Sequence, residues 1–188
     1  MATLKNDPPI TAFLDLIATS EGTSRSPITL AAGYDIIVTG VDGPHVFTDF
    51  STHPFARGRE PILVRAAQPA LYKQDPITPS APPVLIHGPI PALLSTASGR
   101  YQITLPTWRE LAERYKLGTF SPQAQDLAAL YLLDECHATE LIRSGNIEGA
   151  IRATNNTWAS FPGNLYGQPT HDLSTLLSEY NLLLTRQV

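Results

Sequence analysis

The chain has 188 residues, of which 43% are hydrophobic and 16% charged, enough for an ordinary globular domain with a real core and too apolar for a disordered chain. A formal net charge of −4 gives no basic footprint for nucleic acid, and no apolar run approaches the roughly 20 residues of a membrane span. The one cysteine, Cys136, excludes an intramolecular disulfide, and the polar, proline-containing start of the chain lacks the apolar centre of an export signal.

The first predicted element is a helix from about Pro9 to Glu21, with Ile10, Phe13, Leu14 and Ile17 inward. Leu14, Ile17 and Ala18 stand at the i, i+3, i+4 spacing of a buried stripe. Glu21 is the next member of that stripe, and Gly22 is a natural helix stop. Burial and the negative end of the helix dipole both disfavour a charged carboxyl there, raising its pKa toward that of a general acid. The plainer reading is an edge residue whose head group reaches water. After a polar loop, Tyr34–Thr39 reads as a strand, Asp42-Gly43 as a hairpin turn and Val46–Thr48 as its return strand.

From Pro54 to Pro91 the composition changes, with nine of the chain's 17 prolines in that stretch. Prolines at this density exclude helix and central strand, while Ile62–Val64 and Val84–Ile86 are apolar enough for edge strands or for packing. A long structured loop is expected. The helical period then returns. One helix begins near Pro106 with a face of Trp108, Leu111, Ala112 and Tyr115, ended by Gly118. A second opens at Ser121-Pro122 and carries Leu127, Leu130, Tyr131, Asp134 and Leu141, with Gly145 as its stop. A short helix capped by Asn146 and a last one from about Asp172 complete an α+β domain: mostly helical, with a small antiparallel sheet and a long proline-rich insertion at about 55–98.

Few residues suggest chemistry beside Glu21. Asp35, at the start of a strand, either supplies a second carboxylate or holds the preceding loop through hydrogen bonds. Gly99–Ile103 joins a glycine to Tyr101 and Gln102, and Asn155–Trp158 and Tyr166–Gln168 add amide and aromatic groups suited to a sugar-binding groove. Trp108 and Trp158 can equally be core aromatics, which is favoured for Trp108. The five histidines are scattered, Cys136 and His137 are neighbours whose side chains diverge on a helix, and there is no phosphate-binding loop or serine elbow. No metal or cofactor is expected.

An ordered set of blocks carries more. It comprises Ser20-Glu21-Gly22-Thr23, Gly33–Val38, Phe47–Ser51, His53-Pro54, Gly99–Gln102, Phe120–Pro122, Gln125-Asp126, Trp158–Gly163 and Tyr166–Gln168. In that order it resembles the lambda-type endolysin family of peptidoglycan lytic transglycosylases. The resemblance implies a lysozyme-like fold and cleavage of the MurNAc-β-1,4-GlcNAc bond with formation of a 1,6-anhydro ring. It implies Glu21 as the catalytic residue and Asp35 in support; Tyr34, Asp35, Tyr101, Gln102, Asn156, Tyr166 and Gln168 are the candidate binding groups along the cleft. It also implies a monomer that acts on peptidoglycan glycan strands without stable membrane association. Such an enzyme would accumulate in the host cytoplasm until a separate holin-like protein releases it to the periplasm. Two departures stand out: the insertion is much longer than the lambda protein's, and Thr19 replaces a Trp beside the acid. A hydrolytic muramidase using Glu21 and Asp35, or an inactive glycan-binding module, are the competing readings.

Overall fold

The computed structural model describes residues 2, 7–74, 82–163 and 171–187. Its first helix, α1 (Pro8–Ser20), starts where Asp7 accepts the Ile10 N–H at 3.4 Å, with proline in the first turn. Every residue from Ile10 to Ala18 is buried, Thr11 and Asp15 included. The expected inward face is therefore incomplete: Ala12 and Leu16 are as fully buried as Phe13 and Leu14. A helix apolar all round belongs in a core, and each large side chain there contributes about 1.5–3 kcal/mol. α1 ends as its sequence foretells, with the Glu21 N–H on the Ile17 carbonyl at 2.8 Å and Gly22 at φ +73°.

β1 (Ile36–Gly40) and β2 (Gly43–Val46) form the expected antiparallel hairpin. Both its turn and its return strand fall earlier than expected. Gly40 pairs with Gly43, so Val41-Asp42 makes the turn, and Phe47-Thr48 lies beyond the strand.

The proline-rich insertion is more regular than a loop. β3 (Ile62–Arg65) pairs with β6 (Leu93–Ser95), and β4 (Leu71–Lys73) pairs with β5 (Val84–His87). Gln68 and Ile90 exchange hydrogen bonds of 2.8 and 2.9 Å between the two pairs. The two arms thus make one antiparallel ribbon whose prolines flank or interrupt its strands. Proline forbids a central strand but not a two-stranded ribbon, whose strands keep a free edge except where β3 meets the hairpin. The ribbon's base crosses the hairpin at Gly40, where an added Cβ would meet Ile62 at 2.4 Å. The Val41 N–H reaches the Leu63 carbonyl at 2.9 Å beside it.

α2 (Leu105–Tyr115), capped by Thr104, and α3 (Pro122–Glu135), capped by Ser121, follow. The single helix expected from Ser121 to Leu141 is in fact two. His137 adopts φ +55°, which breaks the run between α3 and α4 (Ala138–Arg143). Cys136 and His137 therefore sit at a helix junction rather than within a helix. α5 (Ile147–Thr154), capped by Asn146 through the Gly149 N–H at 3.0 Å, and α6 (Leu173–Thr185), capped by Asp172, match expectation. α1 packs on α6, α4 and α3, and Phe13 meets the edges of Phe161 and Tyr180 at 6.0 and 6.4 Å.

Candidate active site

Two adjoining cavities, of about 320 and 230 Å3, share Glu21, Val38 and Gln102 in their walls. Glu21 thus stands between two halves of one groove. One half is walled by Val64, Leu93 and Leu94 from the ribbon base and by Asn156 to Ala159 after α5. The other is walled by Gly22, Thr23, Ser26, Ile36 and Thr39. Among the described residues lining both halves, Glu21 is the only ionisable one.

Glu21 is half-buried and follows directly on α1, so its backbone is fixed by the core helix. Its carboxyl meets the segment after α5, where the Ser160 hydroxyl donates to Oε1 at 2.7 Å. Burial pushes its pKa above the usual carboxylate range, while Ser160 and, more distantly, His171 pull it back. The direction is the one the helical stripe implies.

Gln102 reaches the groove because the turn that carries it is pinned from all sides. Ser98 and Ile103 exchange backbone hydrogen bonds of 3.0 Å, and the Gly99 N–H donates to the Ile36 carbonyl at 2.7 Å. The Arg100 N–H donates to Gln125 Oε1 at 2.9 Å, and the Thr23 hydroxyl donates to the Arg100 carbonyl at 2.6 Å. The Trp158 indole N–H takes the Tyr101 carbonyl at 3.0 Å. Gly99, at φ +76°, cannot carry a side chain, since a Cβ there would lie 2.1 Å from Gln125 Oε1. Gln102 itself is held at φ +50°, a left-handed conformation that costs about 1–3 kcal/mol and recurs at functional sites.

The structure does not bring every candidate to the groove. Tyr34 and Tyr101 are buried, and both hydroxyls donate to Asp126 Oδ1, at 2.7 and 2.6 Å. Their rings meet edge to face beneath the turn, and their pKa values are raised by burial. As contact residues they are corrected to supports of the site. Asp35 is corrected as a cleft-binding group, and its loop-holding alternative is the one seen: it is 3% exposed and accepts the Leu30 N–H at 2.7 Å and the Thr29 hydroxyl, so it holds the loop before β1. Asn156 lines the groove with Gln102. Tyr166 and Gln168 lie outside the described residues. Trp158 is both buried and groove-lining, whereas Trp108 is a core ring against Phe120. Thr19 lines a different cavity, with Asp15, Ser24 and Arg100.

Three features escaped the sequence. Ser160 sits inside the Trp158–Gly163 block, yet a lone serine gives no local sign that it faces a carboxyl on another element. Asp15 and Arg100 form an ion pair of 2.7 Å with both side chains almost fully buried. Asp126, although inside a recognised block, gives no sign of collecting two tyrosine hydroxyls. Among the described residues, no three His, Cys, Asp or Glu side chains gather where a metal ion could be held.

The chain is similar to known proteins along most of its length. The family model described as endolysin covers residues 11–185. The endolysin of Escherichia phage P2 is 42% identical over 171 residues, which are 90% of this chain and 88% of that protein. The endolysin of Escherichia phage lambda is 34% identical over 170 residues, 90% of this chain and 87% of that one. Among solved structures, bacteriophage lambda lysozyme complexed with a chitohexasaccharide superposes with a TM-score of 0.71 at 31% identity, covering 96% of this chain and 97% of that chain. A second structure of lysozyme from bacteriophage lambda gives 0.67 at 30% identity with the same coverage. The chain therefore has the lambda lysozyme fold and belongs to the endolysin family.

Proposed function

We propose that this protein is a phage endolysin that degrades peptidoglycan by lytic transglycosylation. The cut bond is MurNAc-β-1,4-GlcNAc, and the product ends are 1,6-anhydro-MurNAc. The chitohexasaccharide in the lambda lysozyme complex, a β-1,4-linked relative of that polymer, supports a glycan as the occupant of the groove.

One observation carries the choice of chemistry: among the described residues the groove offers a single acid. Protonated Glu21 donates to the scissile oxygen, and an oxocarbenium-like centre develops on the muramoyl ring. Its carboxylate then takes the proton of that sugar's own C6 hydroxyl, which closes onto C1. An internal nucleophile needs no second carboxylate to activate water, and holding the ring in a closing geometry supplies much of the rate. A muramidase using Asp35 would need that carboxylate beside the groove, but Asp35 is spent on Thr29 and Leu30. Gln102, Asn156 and the Trp158 edge offer amide and aromatic contacts to the sugars on the ribbon side of Glu21.

No helix among the described residues is long and apolar enough to cross a membrane. We place the enzyme in the host cytoplasm as a monomer until a separate membrane-disrupting protein admits it to the periplasm. The deciding experiment is mass spectrometry of muropeptides from purified sacculi. Ends one water lighter than reducing ends are expected, and Glu21→Gln lowers their rate of release by about 10²–10⁴. Ordinary reducing ends would sink the transglycosylase chemistry, and an active Glu21→Gln would sink the acid.

A further inference from the structure

The Glu21 carboxyl is held by a short chain of groups whose bonds all run one way. The Ser20 hydroxyl donates to Ser160 Oγ at 2.7 Å, and the Ser160 hydroxyl donates to Glu21 Oε1 at 2.7 Å. His171, just before α6, closes the frame twice. Its N–H donates to the Ser160 carbonyl at 3.2 Å, and its Nε2–H donates to the Ser20 carbonyl at 3.1 Å. The segment bearing Ser160 is anchored on both sides, by buried Trp158 through its indole N–H and by buried Phe161 against Phe13. The Ser160 hydroxyl is therefore not needed to keep the segment in place. Ser160 Oγ accepts from Ser20 and gives its own hydrogen to the acid.

We infer that Ser160 is the positioning residue of the catalytic acid: polarised by Ser20, its hydroxyl fixes Glu21 Oε1 as an acceptor. The inference rests on Glu21 being the acid of the proposed reaction. Donors in series strengthen one another, and a hydrogen bond onto a charged oxygen is stronger than one onto a neutral group. Ser160 thus stabilises the carboxylate that forms after proton donation, when the enzyme must hold a charge in a groove that disfavours it. The Ser160 main-chain N–H also acts on the carboxyl and is kept in every variant, so the side chain's share can be read separately. His171 lies behind the serines, Asp15 on α1 is paired with Arg100, and the described groove walls bring no other charge.

The test uses the full chain with Ser160→Ala, Ser160→Thr and Ser20→Ala. Each is assayed on purified sacculi across pH, and the Glu21 carboxyl carbon is titrated by NMR. In Ser160→Ala the Glu21 midpoint is expected to rise by about one pH unit, because a donor to the charged form is lost. The alkaline limb of kcat/KM rises with it, and kcat falls about tenfold or more with KM nearly unchanged. Ser160→Thr, which keeps the hydroxyl, restores both. Ser20→Ala moves the midpoint the same way by less, and it tests the chain even if Ser160→Ala fails to fold. An unmoved midpoint in Ser160→Ala, or in Ser20→Ala if that must stand in, overturns the inference. So does a kcat loss that follows thermal stability alone. The NMR midpoint does not depend on turnover, so its failure is distinct from that of the acid assignment, which Glu21→Gln decides.

Discussion

Replacing Arg100 by Met tests whether the groove depends on a charge pair buried far from the chemistry. The Arg100 guanidinium is 2.7 Å from Asp15 Oδ1, donates to the Ala32 carbonyl, and lies 5.2 Å from the centre of the Tyr34 ring. With Arg100 gone, Asp15 keeps the Ala2 N–H at 2.8 Å and the Gln187 amide at 3.1 Å, neither of which carries a balancing charge. Removing one partner of a buried pair costs about 3–5 kcal/mol. For a chain of this length each kcal/mol lowers Tm by about 2–4 °C, so Arg100→Met should melt about 6–20 °C early. The added change Asp15→Leu removes the stranded carboxylate and should recover at least half of the loss, giving a coupling of about 2 kcal/mol or more. Urea and thermal unfolding of the four proteins of the cycle measure this directly. Activity on sacculi at a temperature where Arg100→Met is still folded should also fall, because Arg100 belongs to the turn that presents Gln102. A loss below about 1 kcal/mol, or a coupling near zero, would refute the view that this pair sets the turn.

Two pH effects of opposite sign follow from buried groups. Burial raises the Glu21 pKa, so above the ordinary value of 4.5 the folded state holds a costlier carboxylate, and stability is lost as pH rises through the folded value. Glu21→Gln should therefore match the wild type in Tm at pH 4 and exceed it at pH 8; equal Tm at both would count against a raised acid. His53 acts the other way. It is fully buried with Nε2–H on the Ile103 carbonyl at 3.0 Å, and burial lowers its pKa from 6.5 to about 4. Its contribution is complete above pH 6.5 and is lost as pH falls toward 4, by about 3 kcal/mol. His53→Gln should flatten that acid-side decline in Tm relative to wild type, and an unchanged slope would show that His53 is not its source.

What the sequence revealed and what it hid divide along the range of the interaction involved. Caps at Ser121, Asn146 and Asp172 act within one turn, and each begins a helix where its type and spacing indicate, while Asp7 caps α1 just ahead of the start read at Pro9. The break at His137 could not be read, because apolar spacing continues across it into α4 and no Gly or Pro marks the left-handed residue. The ribbon was half legible: prolines said edge strand, but which arm pairs with which is a contact between residues some 10 to 35 apart. The same limit governs the site. Glu21 announced itself by its place on a helix, whereas the roles of Tyr34, Tyr101 and Asp35 hinge on partners elsewhere in the chain or on loop geometry.

Those misplaced candidates explain the groove's chemistry better than they would by lining it. Tyr34 and Tyr101 each spend a hydroxyl on Asp126, and Asp35 spends its carboxylate on the loop before β1. Asp15 is consumed by Arg100. Each of these carboxylates is drawn into a scaffold that fixes the turn or the hairpin, and none is left at the described groove surface to activate a water. Glu21 is the exception, and the groups around its head are hydroxyls and amides rather than charges. An acid set this way can release and recover one proton without a second ionised group, which is what ring closure by the sugar's own hydroxyl requires. Building the frame from buried carboxylates thus supports the ring-closing chemistry proposed above. On that proposal, a substitution that freed Asp35 toward the groove should add reducing ends to the muropeptides released from sacculi, and an unchanged product mixture would count against the argument.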